Sequence, residues 1–355
     1  MSSDKSRSDE GTEKQDKPLL AVTTGDPCGV GPEIALKAVA SEPATSAARL
    51  LVLGDERNLR RTARDLKLRW PFTSVIKEPP DGRRWEKPQL LDLALFDEPL
   101  IPGQITASAG KAAARAIETA VEFALAGKVD GIVTAPLHKE ALALAGYSDP
   151  GHTEMLARLA DTKKVGMLFW SEKLSVALLT THMSLRDAIK KVRRGNVYDK
   201  LVLFDREWTQ LMDQRPRMAV AALNPHASEH GRFGTEESQC IVPAIEKARS
   251  RGLLVEGPIS ADTVFAKAND GAYDLVLSLY HDQGTIPVKL LYGRQSVNVT
   301  VGLPFVRTSV DHGTAMDIAG KGQASEESLV CAILAAARFV NTMRARDAKS
   351  TKGTE

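Results

Sequence analysis

The run PLLAVTTGDPCGVGPEIALKAVA, residues 18–40, opens with a short apolar, β-rich stretch, breaks at a Gly/Pro turn and continues with apolar positions at helical spacing. The same unit follows twice more, as RLLVLGD (49–55) with ERNLRRTARDL (56–66) and as GIVTAPL (131–137) with KEALALAG (139–146). Strand and helix alternating in this way predict an α/β fold with a mostly parallel sheet covered by helices. The pattern resumes with SVALLTTH (175–182), RMAVAALNPH (217–226), EESQCIVPAIEKARSRG (236–252), DLVLSLYHDQ (274–283) and SVNVTVGLP (296–304). It ends in SEESLVCAILAAARFVNTM (325–343), a helix with Ser and Glu at its start as capping chemistry. Apolar positions on more than one face of that helix call for cover from its own sheet or from a second copy of the chain.

The chain has 355 residues, 43% hydrophobic and 26% charged, which suffices for a large core and predicts two domains rather than a small disulfide module. With 47 Lys+Arg against 45 Asp+Glu the net charge is +2, too small for a general nucleic-acid footprint but compatible with a local anion pocket. Cys28, Cys240 and Cys331 are scattered and form no CxxC pair, so they read as free thiols of a reducing cytoplasm. The polar, mixed-charge start (1–17) carries no signal-peptide pattern, and no run of about 18 apolar residues predicts a membrane span. Residues 1–17 and 346–355 are expected to be disordered tails, and EPPDGRRWEKPQ (78–89) a surface loop.

Four of the seven histidines, His138, His182, His226 and His281, stand at the downstream ends of apolar runs. In an open parallel sheet those ends share the ligand-binding edge, with neighbouring strands about 4.8 Å apart. Imidazoles from three strands, with a coordination position left open, would hold a catalytic divalent ion that polarises a substrate oxygen. The plainer reading of each is a hydrogen-bonded structural histidine. Asp282 and Asp262 are further carboxylates for such a site, as ligands, as partners of the ligands or simply as helix caps.

The TTGDPCGVGPE turn is not GxGxxG: Gly29-Val30-Gly31 lacks the third glycine and Pro32 suits a first helical turn. A tight strand-to-helix turn explains it as well as a nucleotide cradle does. DHGTAMDIAGKGQAS (311–325) is rich in small residues that allow close backbone approach. Lys289, Asn298 and Arg307 combine cations with an amide beside apolar, strand-like residues, a set suited to gripping phosphate or carboxylate. Arg294 reads as a solvated surface residue. In PGHTEML, His152 and Thr153 fall at a helix start, where free N–H groups favour an anion and the Thr hydroxyl can cap.

Together these stretches resemble the 4-hydroxythreonine-4-phosphate dehydrogenase family, the PdxA-type enzymes of vitamin B6 biosynthesis. The matching motifs occur in order: GDPCGVGPE, TAPLHKE, PGHTE, TTHMSLRD, NPHASEHGRFGTEE, ADTVF, YHDQGTIPVK and VNVTVGLPFVRTSVDHGTAMDIAGKG. They span residues from about 20 to about 340. The resemblance implies two α/β/α domains with the active site in a central cleft, related to isocitrate and isopropylmalate dehydrogenases rather than to a Rossmann GxGxxG fold. On that basis residues 18–140 with 295–345 form the cofactor-side domain, and 141–294 the metal and dimer side.

The resemblance further implies a divalent metal (Zn, Mg or Co) on His182, His226 and His281, with the ligands shared between the subunits of a homodimer. It implies substrate contacts from His152, Thr153, Lys289, Asn298 and Arg307, with Lys289 also a candidate for moving the proton. NAD, or NADP, would lie against His312, Gly313, Thr314, Asp317, Ile318, Gly320 and Gly322. His138, where the family pattern also accepts Asn, is set aside as a ligand. The implied reaction oxidises 4-phosphooxy-L-threonine to a 3-oxo acid that loses carbon dioxide. The alternatives are a 4-phospho-D-threonate or D-erythronate 3-dehydrogenase and, more distantly, a metal-dependent hydrolase or aldolase acting on a phosphorylated compound. Two departures stand out: Cys28 where Ala is usual, and Ser228 where Gly is expected, which would be strained if that position needs positive φ.

Overall fold

A computed structural model describes residues 17–78, 85, 87–96 and 100–352, so residues 1–16 of the expected N-terminal tail (1–17), residues 353–355 of the C-terminal one and most of the 78–89 loop lie outside the described residues. The apolar runs become twelve strands: β1 Leu19–Thr23, β2 Arg49–Gly54, β3 Ser74–Ile76, β4 Gln89–Asp92, β5 Gly131–Thr134, β6 Gly166–Trp170, β7 Val176–Leu178, β8 Met218–Ala221, β9 Val255–Ile259, β10 Leu275–Ser278, β11 Val297–Val301 and β12 Val306–Ser309. They form one sheet in the order β3-β4-β2-β1-β5-β12-β11-β6-β7-β10-β8-β9. Pairing is parallel from β3 to β12 and again from β7 to β9, with antiparallel joins at β12–β11, β11–β6 and β6–β7. Strands drawn from 18–140 and 295–345 fill the first seven places, and those from 141–294 fill the last five.

Side-chain alternation along these strands separates two faces. One face carries a single core that runs the length of the sheet, with Leu20, Val22, Val133, Val299, Leu168, Met218, Val220 and Leu277 all belonging to it. The helix Glu327–Lys352 is its keystone, burying Leu329, Ile333, Ala336 and Phe339. By length and composition this helix is apolar enough to cross a membrane, but half of its apolar window is buried in the core. Its cover comes from this chain's own sheet, and it runs on through 346–352, the described part of the stretch that composition assigned to a tail. Lys349 near its end pairs with Asp213 at 2.9 Å.

The opposite face carries two separate clusters, one around Ala21, Ile132 and Leu156, the other around Met167, Phe169, Val276 and Val288. Between them, the central strands turn polar side chains outward: Thr134 on β5, Arg307 and Ser309 on β12, Asn298 and Thr300 on β11. That gap in the apolar covering positions the site.

Candidate active site

A cleft of about 300 Å3 opens over those polar residues and is lined by Thr134, His152, Thr153, Asn298 and Arg307, together with His182, His281 and Lys289. Arg307 forms its floor, only 2% exposed. Its Nη1 donates to Thr300 Oγ1 (2.8 Å) and its Nη2 to Thr134 Oγ1 (2.7 Å), while Nε has no partner. Two neutral hydroxyls are poor compensation for a buried guanidinium. Burial pushes its pKa down to about 9, with Glu154 pulling the other way, so Arg307 remains charged at neutral pH.

Two more unpaired buried atoms belong to the same lining, His152 Nε2 and Asn298 Oδ1. Burial holds the His152 imidazole well below its usual range, and the Arg307 charge adds to the effect. A neutral imidazole can donate from Nε2 without adding charge. The helix His152–Leu159 is capped at Gly151 with no side-chain hydrogen bond, so Thr153 does not serve as its cap and instead lines the cleft. Five of the residues picked from sequence therefore meet here: His152, Thr153, Lys289, Asn298 and Arg307.

The His182 and His281 rings lie side by side, centroids 5.4 Å apart. Burial, then the Lys139 and His281 charges, lowers the His182 pKa, which favours the neutral, metal-ligating form. His281 Nδ1 lies 2.7 Å from Asp282 Oδ1, a contact that fixes the ring and leaves Nε2 for a ligand. Asp262 sits exposed in the first turn of the helix Ala261–Asn269 and does not line the cleft. His226 does not line it either, and among the described residues of one chain no group of three His, Cys, Asp or Glu side chains assembles as a metal site. β7, β10 and β8 are parallel neighbours, so His182, His281 and His226 do follow strands on one sheet edge. His138 follows β5 in the other parallel set and caps the helix Lys139–Leu144, its Nδ1 accepting from the Ala141 N–H (3.4 Å).

His226 is exposed on a turn in which residues 226–230 all have positive φ, from +43° to +72°. Ser228, at φ +72°, occupies the left-handed region as the Gly expected there would, and its hydroxyl donates to the Gly234 carbonyl (2.5 Å). That bond holds a backbone otherwise costly for serine.

A second cleft, of about 450 Å3, adjoins the first and shares Lys289, Asp311, His312 and Gly313 with it. Lys289 Nζ lies at this junction, 3.3 Å from Asp311 Oδ1. Burial raises the Asp311 pKa, against the opposing pull of Lys289. Of the proposed cofactor residues, His312, Gly313 and Ile318 line the second cleft. A Cβ at Gly313 would enter open space, so a ligand can approach its backbone closely. Thr314, Asp317, Gly320 and Gly322 do not line it. Thr314 instead accepts the Val30 N–H (2.9 Å), and its Cβ and carbonyl lie 2.9 Å from where a Cβ on Gly29 would stand, locking the loop onto the GDPCGVGPE turn. Arg294, read from sequence as a solvated surface residue, borders this cleft. Sequence reasoning also passed over Thr134, Thr300, Lys139, Glu154 and Asp311. The Thr residues had a signal, as polar members of otherwise apolar strands.

Cys28 is buried, its thiol pushed up to about 11 chiefly by burial and secondly by Asp26, and it has no part in either cleft. All three cysteines are free.

Comparison with known proteins gives a consistent picture. Residues 46–336 match the model of a family described as pyridoxal phosphate biosynthetic protein PdxA. A D-threonate 4-phosphate dehydrogenase of Cupriavidus necator is 46% identical over 322 residues, 89% of this chain and 95% of that protein. A 4-hydroxythreonine-4-phosphate dehydrogenase of Geobacter metallireducens is 44% identical over 331 residues, 91% and 96% of the two chains. The crystal structure of the 4-hydroxythreonine-4-phosphate dehydrogenase from Klebsiella pneumoniae superposes with a TM-score of 0.84 at 42% identity, covering 91% of this chain and 98% of that one.

Proposed function

The chain belongs to the PdxA family of pyridoxal phosphate biosynthetic proteins, and from that membership we propose that it is a nicotinamide-dependent dehydrogenase of 4-phosphooxy-L-threonine. The product, 2-amino-3-oxo-4-phosphooxybutanoate, is a β-oxo acid that decarboxylates to 3-amino-2-oxopropyl phosphate. The observation that carries the reading is the Arg307 floor: a buried charge with a free Nε, beside the unpaired His152 Nε2, calls for an anionic ligand, while the unpaired Asn298 Oδ1 calls for a donor such as a substrate hydroxyl or amine. The substrate phosphate supplies one, and gripping it fixes the reacting carbon.

The residues fit a nicotinamide cofactor through the open backbone at Gly313 in a cleft that joins the first; when bound, NAD or NADP supplies the hydride acceptor. They fit a divalent metal through two adjacent imidazoles, and Zn, Mg or Co held there supplies Lewis acidity to the hydroxyl. His226 of a second copy completes the ligand set in this reading. Exposed apolar side chains support such a homodimer: Ile286, Leu290 and Leu291 on the helix headed by His281, and Met183, Leu185 and Ile189 near His182. Lys289, at the junction of the clefts and 3.3 Å from Asp311, would move the hydroxyl proton through Nζ in this reading. Free thiols agree with a cytoplasmic location.

A second reading, oxidation of 4-phospho-D-threonate, is favoured by the Cupriavidus relative at 46% identity. The two substrates differ in an amine or a hydroxyl at C2. The test supplies the full chain with divalent metal and either nicotinamide dinucleotide, and follows reduced-nicotinamide absorbance with the two compounds in parallel. Faster reduction with 4-phosphooxy-L-threonine is expected. Reduction confined to the threonate establishes the second reading, and turnover of phosphorylated compounds without nicotinamide reduction points to a hydrolase or aldolase.

A further inference from the structure

The loop that carries His226 is closed at its base by a buried carboxylate that the chemistry above does not use. Glu237 is 3% exposed and makes no ion pair among the described residues. Its Oε1 accepts the backbone N–H groups of Leu223 (3.0 Å) and Asn224 (2.7 Å), just past β8, and its Oε2 accepts from Asn224 Nδ2 (2.9 Å). Those three N–H donors offset the burial of the carboxylate. Asn224 Nδ2 gives its other proton to Glu236 Oε2 (2.9 Å), which fixes the orientation of the amide. Gly234 makes room for this pairing: a Cβ there would stand 2.5 Å from Glu236 Oε2 and 2.7 Å from Asn224 Nδ2, and its φ of +138° is one that glycine adopts readily.

His226 stands two residues after the clipped Asn224 and two before Ser228, whose hydroxyl reaches Gly234 and whose carbonyl accepts the Gly231 (3.0 Å) and Phe233 (3.3 Å) N–H groups. The exposed imidazole therefore projects from a backbone held on both sides. A ligand delivered to a site on another chain loses affinity by whatever freedom its own loop gives up on binding, and a loop ordered beforehand avoids that loss. We infer that Glu237, with Asn224, is a positioning residue for the metal, holding the 225–235 loop in the form that presents His226 to the cleft of a second copy. The inference rests on the reading in which His226 of one copy completes the ligand set of another, and goes beyond it in assigning residues that act through His226 without touching the ion. The network asks for a carboxylate at 237, because glutamine would set its amide against that of Asn224, donor to donor. Turning the Asn224 amide over to meet it would set an oxygen against Glu236.

The test compares the full wild-type chain with Glu237→Gln by amide hydrogen exchange without metal, by calorimetric titration with Zn2+, and by thermal unfolding with and without inorganic phosphate. Exchange within 225–235 should rise about tenfold, and Zn2+ affinity should fall about 10–100-fold. The Tm should drop by only a few degrees, and phosphate should raise it as in wild type, because the Arg307 floor is untouched. Asn224→Ser keeps both backbone bonds to Glu237 and should give a smaller loss on both readouts, so it decides the matter if the glutamine variant fails to fold. Unchanged Zn2+ affinity in a variant whose loop exchanges faster, or exchange that does not change, overturns the inference and leaves the metal reading standing. A His226→Ala chain that binds Zn2+ as tightly as wild type overturns the metal reading and the inference with it.

Discussion

Replacing Arg307 with Met keeps most of the side-chain volume and removes the charge, and the structure separates what that does to folding from what it does to binding. Arg307 is 2% exposed, its guanidinium hydrogen-bonded to Thr134 and Thr300 with the Glu154 charge as a weaker counterweight. Its removal relieves a desolvation penalty of several kcal/mol, offset by the loss of two hydrogen bonds to a charged group at about 1.5–3 kcal/mol each and by two hydroxyls left unpaired. The net change in folding stability should fall within about 2 kcal/mol of zero, a Tm shift of only a few degrees for a chain of this size. Binding has no such offset, because the anion loses its principal buried partner: about 3 kcal/mol, a loss in kcat/KM on the order of a hundredfold. Thermal unfolding with and without inorganic phosphate reads both quantities, since phosphate should raise the wild-type Tm and leave that of Arg307→Met unmoved. A variant that unfolds about 4 kcal/mol more easily, or that keeps kcat/KM within about threefold of wild type, would show that Arg307 serves the core and not an anion.

His152 sets a pH dependence. Burial, then Arg307, holds its folded pKa well below the ordinary 6.5, so the unfolded chain binds a proton that the folded chain refuses. The stability this residue contributes is fully present above pH 6.5 and is lost on acidification, at up to about 1.4 kcal/mol per pH unit; His152→Asn should flatten the acid limb of a stability–pH curve by that one-proton slope, and an unchanged slope would contradict the assignment. Gly29→Ala places a Cβ 2.9 Å from Thr314 Cβ and its carbonyl, so the nicotinamide KM should rise roughly tenfold while the substrate KM holds; the reverse pattern would detach the 312–322 loop from the cofactor. Asp282→Asn weakens the partner of His281 Nδ1 and should lower metal affinity about 10–100-fold in a metal titration, with unaltered affinity counting against a metal on His281.

The strand runs and the parallel sheet were legible because apolar alternation is a local property, and so were the histidines, which follow strand ends. What local pattern does not carry is which strands become neighbours. Arg307 reads from sequence as a cation able to grip an anion, but its burial with Thr134 within reach of its Nη2 follows only once β12 pairs with β5. His138 looks like its three counterparts in sequence, yet β5 belongs to the other parallel set and its imidazole is spent on a helix cap. The stretch 346–352 reads as a tail by composition, but it extends a helix already anchored by Phe339 and Val340. The left-handed turn at 226–230 rests on a hydrogen bond from Ser228 to Gly234, six residues away, which no periodicity announces.

Mixing two inactive variants tests the active site most directly. On the proposed homodimer, cells or refolding mixtures that combine His226→Ala and His182→Ala chains should yield a population in which about half the dimers are mixed. In each mixed dimer one site draws its His182–His281 pair from the first chain and an intact His226 from the second. Nicotinamide reduction should therefore return to about a quarter of the wild-type rate although each variant alone is silent. Activity that stays absent on mixing, or a His226→Ala protein that turns over unaided, would contradict a dehydrogenase centre closed by the histidine of a second copy.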